Sequence, residues 1–192
     1  MSETIQIGLR IIWISLLLFW ILSSRNNKQS IHKESFLTRF LLYWLPLLIA
    51  TLLLGPGKWF GHSLIRENFV EHTKFVGSIG LLISFAGLIL ACWSRYLLGK
   101  NWSLSVQKKE NHELINSGPY SILRHPIYTG ILLIFIGNTI IVGDYRGIIA
   151  VLIVFLSFWF KLKKEEKWLT EIFGEKYLNY IKNTKAIIPY LL

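Results

Sequence analysis

The sequence predicts an all-α, polytopic membrane protein, and three observations support that prediction. The chain of 192 residues is 53% hydrophobic and only 17% charged, whereas soluble domains carry about 25% charged residues. A helix needs about 20 residues to cross a bilayer, and five apolar segments have lengths close to that. The net charge of +10 is concentrated between those segments. The length indicates one integral membrane domain over residues 1–192, with three membrane helices in residues 1–98 and the polar motifs in residues 99–192.

Composition and motif content also exclude several classes of function. The single cysteine, Cys92, can form no intramolecular disulfide and supplies no cysteine-based zinc site. The five histidines show no pair at helical metal-ligand spacing, so we expect no metal. The sequence holds no glycine-rich phosphate loop and no GxSxG motif. Membrane topology explains the basic excess, so we expect no nucleic-acid partner.

The predicted membrane helices lie at residues 5–22, 36–54, 75–94, 127–142 and 147–160. Arg10 interrupts the first and can snorkel to the interface. Pro46 lies inside the second and predicts a kink. Only a short link around Tyr145 separates the fourth from the fifth, which predicts a tight antiparallel hairpin. Apolar residues then recur at helical spacing over residues 163–183, which predicts a C-terminal amphipathic helix on the membrane surface.

The distribution of basic residues predicts how the helices are oriented. With five crossings, 16 of the 21 Lys and Arg residues fall on one side of the membrane. The positive-inside rule places that side in the cytoplasm. The loop before the fourth helix and the C-terminal tail are therefore expected at the cytoplasmic face.

Arg124 and His125 are predicted to stand just outside the N-terminus of the fourth helix. Pro126 has a fixed φ and no N–H group, so it suits the first turn of a helix, and it favours an extended conformation for His125. The free N–H groups and the dipole of such a terminus favour an anion. Tyr128, on the first turn, reaches the same space.

The hairpin predicts which residues face this terminus. His125 lies 20 residues before Tyr145, and Glu165 lies 20 residues after it. An antiparallel pair folded at Tyr145 brings Glu165 and Glu166 beside the start of the fourth helix. This predicts a pocket with donors on one wall and carboxylates on the other. Simpler interpretations stay open at this point: Arg124 as a topological anchor, the glutamates as a solvated helix face and His125 as a structural residue.

Two motifs in this half of the chain resemble the signatures of the isoprenylcysteine carboxyl methyltransferase family. The first is HELINSGPY at residues 112–120 followed by RHPIYTG at residues 124–130, and the second is EEKWL at residues 165–169. Phospholipid methyltransferases share a looser version. The resemblance covers roughly residues 100–189. It implies an integral membrane methyltransferase that uses S-adenosylmethionine, with residues 99–192 as its cofactor-binding core.

The same resemblance implies roles for individual residues. The family places a substrate-binding arginine four residues before the glutamate of the second motif. Lys161 occupies that position here, and it can attract a carboxylate without the bidentate fork of an arginine. Arg124 and Lys161 are the predicted catalytic residues, because both favour an anionic acceptor. The predicted cofactor-binding residues are His112, Glu113, Leu114, Ile115, Tyr120, His125, Pro126, Ile127, Tyr128 and Glu165.

The expected reaction is methylation of a carboxylate on a lipidic or small hydrophobic acceptor that enters from the bilayer. The cofactor would arrive from the cytoplasm. A carboxylate acceptor is already ionised at neutral pH, whereas an amine would first lose a proton. Three alternatives stay open: a phospholipid or amine N-methyltransferase on the same scaffold, an NADPH-dependent membrane reductase, and a non-enzymatic membrane adaptor.

Overall fold

The computed structural model describes residues 2–24, 30–99, 107–109 and 114–189. Within these ranges the α-helices are α1 Glu3–Ser23, α2 Phe36–Arg39, α3 Leu45–Leu53, α4 Lys74–Leu98, α5 Pro126–Val142, α6 Tyr145–Phe173 and α7 Glu175–Asn183. A π-helical turn, Phe40–Trp44, joins α2 to α3. One small antiparallel ribbon pairs β1, Ser30–Lys33, with β2, Gln107–Lys109. The predicted all-α class is confirmed, and the ribbon is an addition that the sequence did not predict.

Five helical segments form the membrane-embedded part of the protein. Among the described residues, α1, the α2–α3 segment, α4 and α6 are long and apolar enough to cross a membrane, and α5 is a shorter apolar helix of 17 residues. Their outer surface is apolar: Leu17, Phe85 and Leu152 are 58%, 53% and 54% exposed. Such a surface is stable only against lipid. The protein is therefore an integral membrane protein.

Helix α5 lies at the centre of the bundle, between α4 and α6. Its Ile134 and Phe135 are 0% and 1% exposed. The α5–α6 hairpin turns through Gly143, whose φ of 73° lies in the left-handed region that a glycine adopts without strain. This confirms the predicted tight hairpin.

Charged side chains make contacts at both ends of the bundle. At one end, called the site end because it contains Arg124, Arg95 donates to the Ser23 carbonyl at 2.5 Å and Lys164 pairs with Glu34 at 2.5 Å. At the opposite end, called the hairpin end, Arg146 pairs with Asp144 at 2.6 Å. The end of α1, the start of the second segment and the end of α4 thus lie at the site end, as expected for five helices that cross in alternating directions.

The predicted boundary between the fifth membrane helix and the tail helix is wrong. Instead of ending at residue 160, α6 continues unbroken to Phe173, and the break falls at Gly174 with a φ of 54°. No glycine or proline lies in α6 beyond its apolar part, and Lys, Glu and Leu are good helix formers. Helix α7 is the separate amphipathic segment, with Tyr177 buried and Lys182 exposed. Glu165 and Glu166 therefore project from a rigid extension of a membrane helix.

Pro46 produces the predicted irregularity in the second segment. A proline in a helix removes the N–H that would bind the carbonyl four residues earlier, which here is that of Leu42. The adjoining turn is π-helical, a usual form of such a disruption. The hydroxyl of Ser157 on α6 donates to the Leu42 carbonyl at 2.6 Å. A side chain from a neighbouring helix thus satisfies the carbonyl that the proline leaves unpaired.

We expect Ser157→Ala to lower the free energy of unfolding by about 1 kcal/mol, because it leaves the Leu42 carbonyl without its partner. Thermal unfolding in detergent measures the effect. The matched control is Ser78→Ala, since the exposed Ser78 hydroxyl donates only within its own helix, to Lys74. Equal effects of the two substitutions would contradict the assigned role of Ser157.

Candidate active site

The start of α5 is held in place by the C-terminal segment of the chain. The Arg124 N–H donates to the Lys185 carbonyl at 2.7 Å, and the His125 N–H donates to the Ala186 carbonyl at 3.0 Å. The N–H groups of Tyr128 and Thr129 bind the His125 carbonyl at 3.0 and 3.2 Å. The expectation of a helix terminus with free donors for an anion is therefore corrected at these four groups, because other carbonyls already accept their hydrogen bonds.

Two glutamates of α6 face the start of α5, as the hairpin predicted. The Tyr128 hydroxyl donates to Glu165 Oε1 at 2.7 Å. His125 lies between the two carboxylates, with Nδ1 3.5 Å from Glu165 Oε2 and Nε2 3.4 Å from Glu166 Oε1. The His125 side chain is 7% exposed, and its Nε2 makes no hydrogen bond of normal geometry within the described residues. Glu165, at 21% exposure, is the more accessible carboxylate.

Arg124 anchors the second of these glutamates. Its Nε donates to Glu166 Oε1 at 2.6 Å, and the two side chains are 10% and 12% exposed. Its Nη1 donates to the Thr184 carbonyl at 2.5 Å. Charge-assisted bonds of this length are the strong kind. Arg124 thus ties α5, α6 and the C-terminal segment together, and its predicted catalytic role stays a prediction.

Aromatic rings form one wall of the site. The His125 and Tyr128 rings are stacked, with centroids 5.4 Å apart and an interplanar angle of 7°. Tyr128 in turn stacks on Phe158 of α6 at 4.7 Å. Lys161, 9% exposed, places its Nζ 5.2 Å from the centre of the Tyr128 ring. The wall is therefore a stack of three aromatic rings beside the Glu165 carboxylate.

Tyr120 lies on a 3-10 turn spanning Gly118–Ser121, just before α5 in the chain. Its hydroxyl donates to the Ser94 carbonyl at 3.3 Å, and its own carbonyl accepts from the Tyr180 hydroxyl at 2.6 Å. Burial raises the pKa of Tyr120 above its ordinary value and that of Tyr180 to about 12. Both phenols therefore stay protonated donors at neutral pH.

Four of the remaining predicted residues are described by the structure. Pro126 and Ile127 are buried on its first turn, where they pack rather than face solvent. Leu114 and Ile115 are partly exposed. His112 and Glu113 lie outside the described residues.

Sequence reasoning missed the contributions of the N-terminal half and of the C-terminal segment. Tyr43, in the π turn, places its ring 5.2 Å from Lys161 Nζ, and Glu34 pairs with Lys164. The usable signal was Pro46, which predicts a distorted helix beside it. Within the described ranges, no three His, Cys, Asp or Glu side chains cluster in a way that could hold a metal ion.

The fold and the site define a polytopic α-helical membrane protein with a histidine–carboxylate site at one end of its bundle. A sequence profile of the phospholipid methyltransferase family matches residues 76–176, a range that includes α5, the site histidine and both glutamates. The chain belongs to the phospholipid methyltransferase family.

Individual relatives carry a more specific description. The chain is 29% identical over 179 residues to a protein-S-isoprenylcysteine O-methyltransferase of Rattus norvegicus, covering 90% of this chain and 60% of the relative. It is 27% identical to the Schizosaccharomyces pombe protein of the same name, covering 92% of this chain and 79% of that one. A solved structure of the eukaryotic intramembrane Ras methyltransferase ICMT (isoprenylcysteine carboxyl methyltransferase) matches with a TM-score of 0.58 and 26% identity. That match covers 78% of this chain and 52% of the other.

Proposed function

We propose that this protein is an S-adenosylmethionine-dependent integral membrane methyltransferase that methylates a carboxylate on a lipidic or small hydrophobic acceptor. The observation that carries the proposal is the convergence of His125, Tyr128 and Glu165 at one end of the bundle. Aromatic faces and an accessible carboxylate meet there, next to a buried ammonium. The relatives named as isoprenylcysteine O-methyltransferases support the same reaction class.

The residues at the site fit the chemical groups of this cofactor. Glu165 can accept hydrogen bonds from its amino group or ribose hydroxyls. The aromatic side chains at the site can pack against the flat adenine ring. S-adenosylmethionine, when bound, supplies an activated methyl group on a good leaving group. The protein's own contribution is then to orient and desolvate. The proposed cofactor-binding set remains His112, Glu113, Leu114, Ile115, Tyr120, His125, Pro126, Ile127, Tyr128 and Glu165.

Lys161 is the proposed partner of the acceptor. Its side chain projects from α6 one turn before Glu165, so a carboxylate held by Lys161 would lie next to the cofactor-binding carboxylate. Because that acceptor is already ionised, the reaction needs no general base. An acceptor with a lipid tail would enter sideways from the bilayer. The basic excess supports a cytoplasmic location for the site end.

A second candidate is an N-methyltransferase acting on a phospholipid or another amine, and the family profile over residues 76–176 favours it. The acceptor distinguishes the two reactions. Turnover with N-acetyl-S-farnesylcysteine supports carboxyl methylation, whereas turnover with phosphatidylethanolamine vesicles supports amine methylation.

We expect wild-type protein in detergent to bind S-adenosylmethionine with micromolar affinity, and His125→Ala and Glu165→Gln each to weaken binding by about tenfold or more, equal to about 1.4 kcal/mol. Each substitution removes one group of the proposed cofactor site. Isothermal titration calorimetry measures the change. The matched controls are His62→Ala and Glu171→Gln, because both side chains are exposed. His62 is far from this cluster in the sequence, and Glu171 lies on a different face of α6 from Glu165.

Folded wild-type protein that binds no S-adenosylmethionine would refute the proposed function. The same titration repeated with NADPH then separates a reductase from a non-enzymatic adaptor, which would bind neither.

A further inference from the structure

The second membrane segment contributes a tyrosine to the Lys161 side of the site. Tyr43 is 3% exposed. The Nζ atom of Lys161 lies 5.2 Å from the ring centre of Tyr43 and 5.2 Å from that of Tyr128. The ammonium is therefore held between two aromatic faces, one from each half of the chain.

The backbone around Tyr43 fixes the position of its ring. Tyr43 belongs to the π turn Phe40–Trp44, and such turns are frequent at functional sites. Ser157 binds the carbonyl of Leu42, the preceding residue, at 2.6 Å. Ser157 and Lys161 are one turn apart on the same face of α6. That face therefore contacts both the Leu42 carbonyl and the Tyr43 ring.

The Tyr43 hydroxyl is a buried donor that lies beside the Glu34 carboxylate without forming a hydrogen bond of normal geometry to it. Neither this hydroxyl nor Glu34 Oε2 makes a hydrogen bond of normal geometry within the described residues. The other oxygen of Glu34 pairs with Lys164 at 2.5 Å, which balances its charge. Burying a hydroxyl without a good hydrogen bond costs free energy. A ligand that accepts this hydrogen bond would remove the cost.

We propose that Tyr43 is an acceptor-binding residue whose hydroxyl donates a hydrogen bond to the anionic oxygen that Lys161 attracts. This inference rests on the proposed methyltransferase function and deepens it, because it names the group by which the acceptor is recognised. An amine acceptor fits less well. The two aromatic faces that would bind a cation already contact the Lys161 ammonium, and that ammonium repels a second cation.

The test compares an acid with its ester, which carries no charge. N-acetyl-S-farnesylcysteine and its methyl ester are titrated into the full chain in nanodiscs saturated with S-adenosylhomocysteine, and binding is measured by calorimetry. We expect wild type to prefer the acid. Tyr43→Phe keeps the ring and removes only the donor, so we expect it to weaken acid binding by about tenfold and to leave ester and S-adenosylhomocysteine binding unchanged. The control is Tyr96→Phe, since Tyr96 is 76% exposed.

Several outcomes overturn the assignment of Tyr43. These are an unchanged acid preference in Tyr43→Phe, equal binding of acid and ester by wild type, binding of neither, and tighter binding of farnesylamine than of the acid. The acceptor titrations are also run without S-adenosylhomocysteine. A wild type that binds no S-adenosylhomocysteine refutes the proposed function, and the cofactor-free titrations still decide whether Tyr43 recognises the acid.

Discussion

Arg124→Met is expected to lower the free energy of unfolding by about 3–5 kcal/mol, because it leaves the nearly buried Glu166 carboxylate without the guanidinium that contacts it. The pair is 2.6 Å apart and nearly buried, so water cannot replace the guanidinium. The same substitution removes the bond to the Thr184 carbonyl, which loosens the C-terminal segment from α5. Denaturant or thermal unfolding in detergent measures the loss.

A double-mutant cycle separates the ion pair from the other contacts of Arg124. Once the guanidinium is gone, Glu166→Gln removes an unpaired buried charge, so it should cost much less in the Arg124→Met background than in wild type. We expect a coupling energy above about 1.5 kcal/mol. Additive effects would show that the pair contributes little. Arg66→Met is the control, because Arg66 is exposed and its side chain donates to the Gly61 carbonyl.

The position of the site was predictable because one helical hairpin determines it. Equal separations from Tyr145 placed His125 and Glu165 at the same level, and the contact between His125 and Glu165 at 3.5 Å confirms that reasoning. Apolar segment lengths were sufficient for the five crossings, since each crossing needs an apolar run long enough to span the bilayer core. Local signals of this kind need no knowledge of how distant segments pack.

The parts that could not be predicted depend on contacts between segments far apart in the sequence. The donors at the start of α5 seemed free because no local pattern shows that Lys185 and Ala186 return to accept from them. The end of α6 was misplaced because hydropathy marks where a helix leaves the membrane and not where it ends. Tyr43 carries no motif, and only the packing of the second segment against α6 brings it to Lys161.

Close packing of α4 against α5 explains how the site keeps its geometry. Gly80 and Gly87 of α4 face Gly137 and Gly130 of α5, and a Cβ at Gly87 would lie 2.5 Å from the Gly130 carbonyl oxygen. The two contact points are seven residues apart on each helix, which is two helical turns. The backbones therefore touch at both points, and α5 cannot shift along α4 without a collision. Because His125 and Tyr128 lie at the start of α5, this contact fixes their height relative to α4.

We expect Gly137→Ala to destabilise the protein by about 1–3 kcal/mol or more, since the new Cβ would overlap the Gly80 carbonyl oxygen and the Ser84 hydroxyl. The control is Gly8→Ala, whose Cβ would meet only the flexible end of the Leu81 side chain at 3.0 Å. Alanine is the better helix former by about 1 kcal/mol, so the control should be neutral or stabilising. Thermal unfolding therefore gives opposite signs if backbone contact at Gly137 decides stability. A stabilised Gly137→Ala variant would show that the two helices can separate without loss, and that the α4 contact does not hold the site.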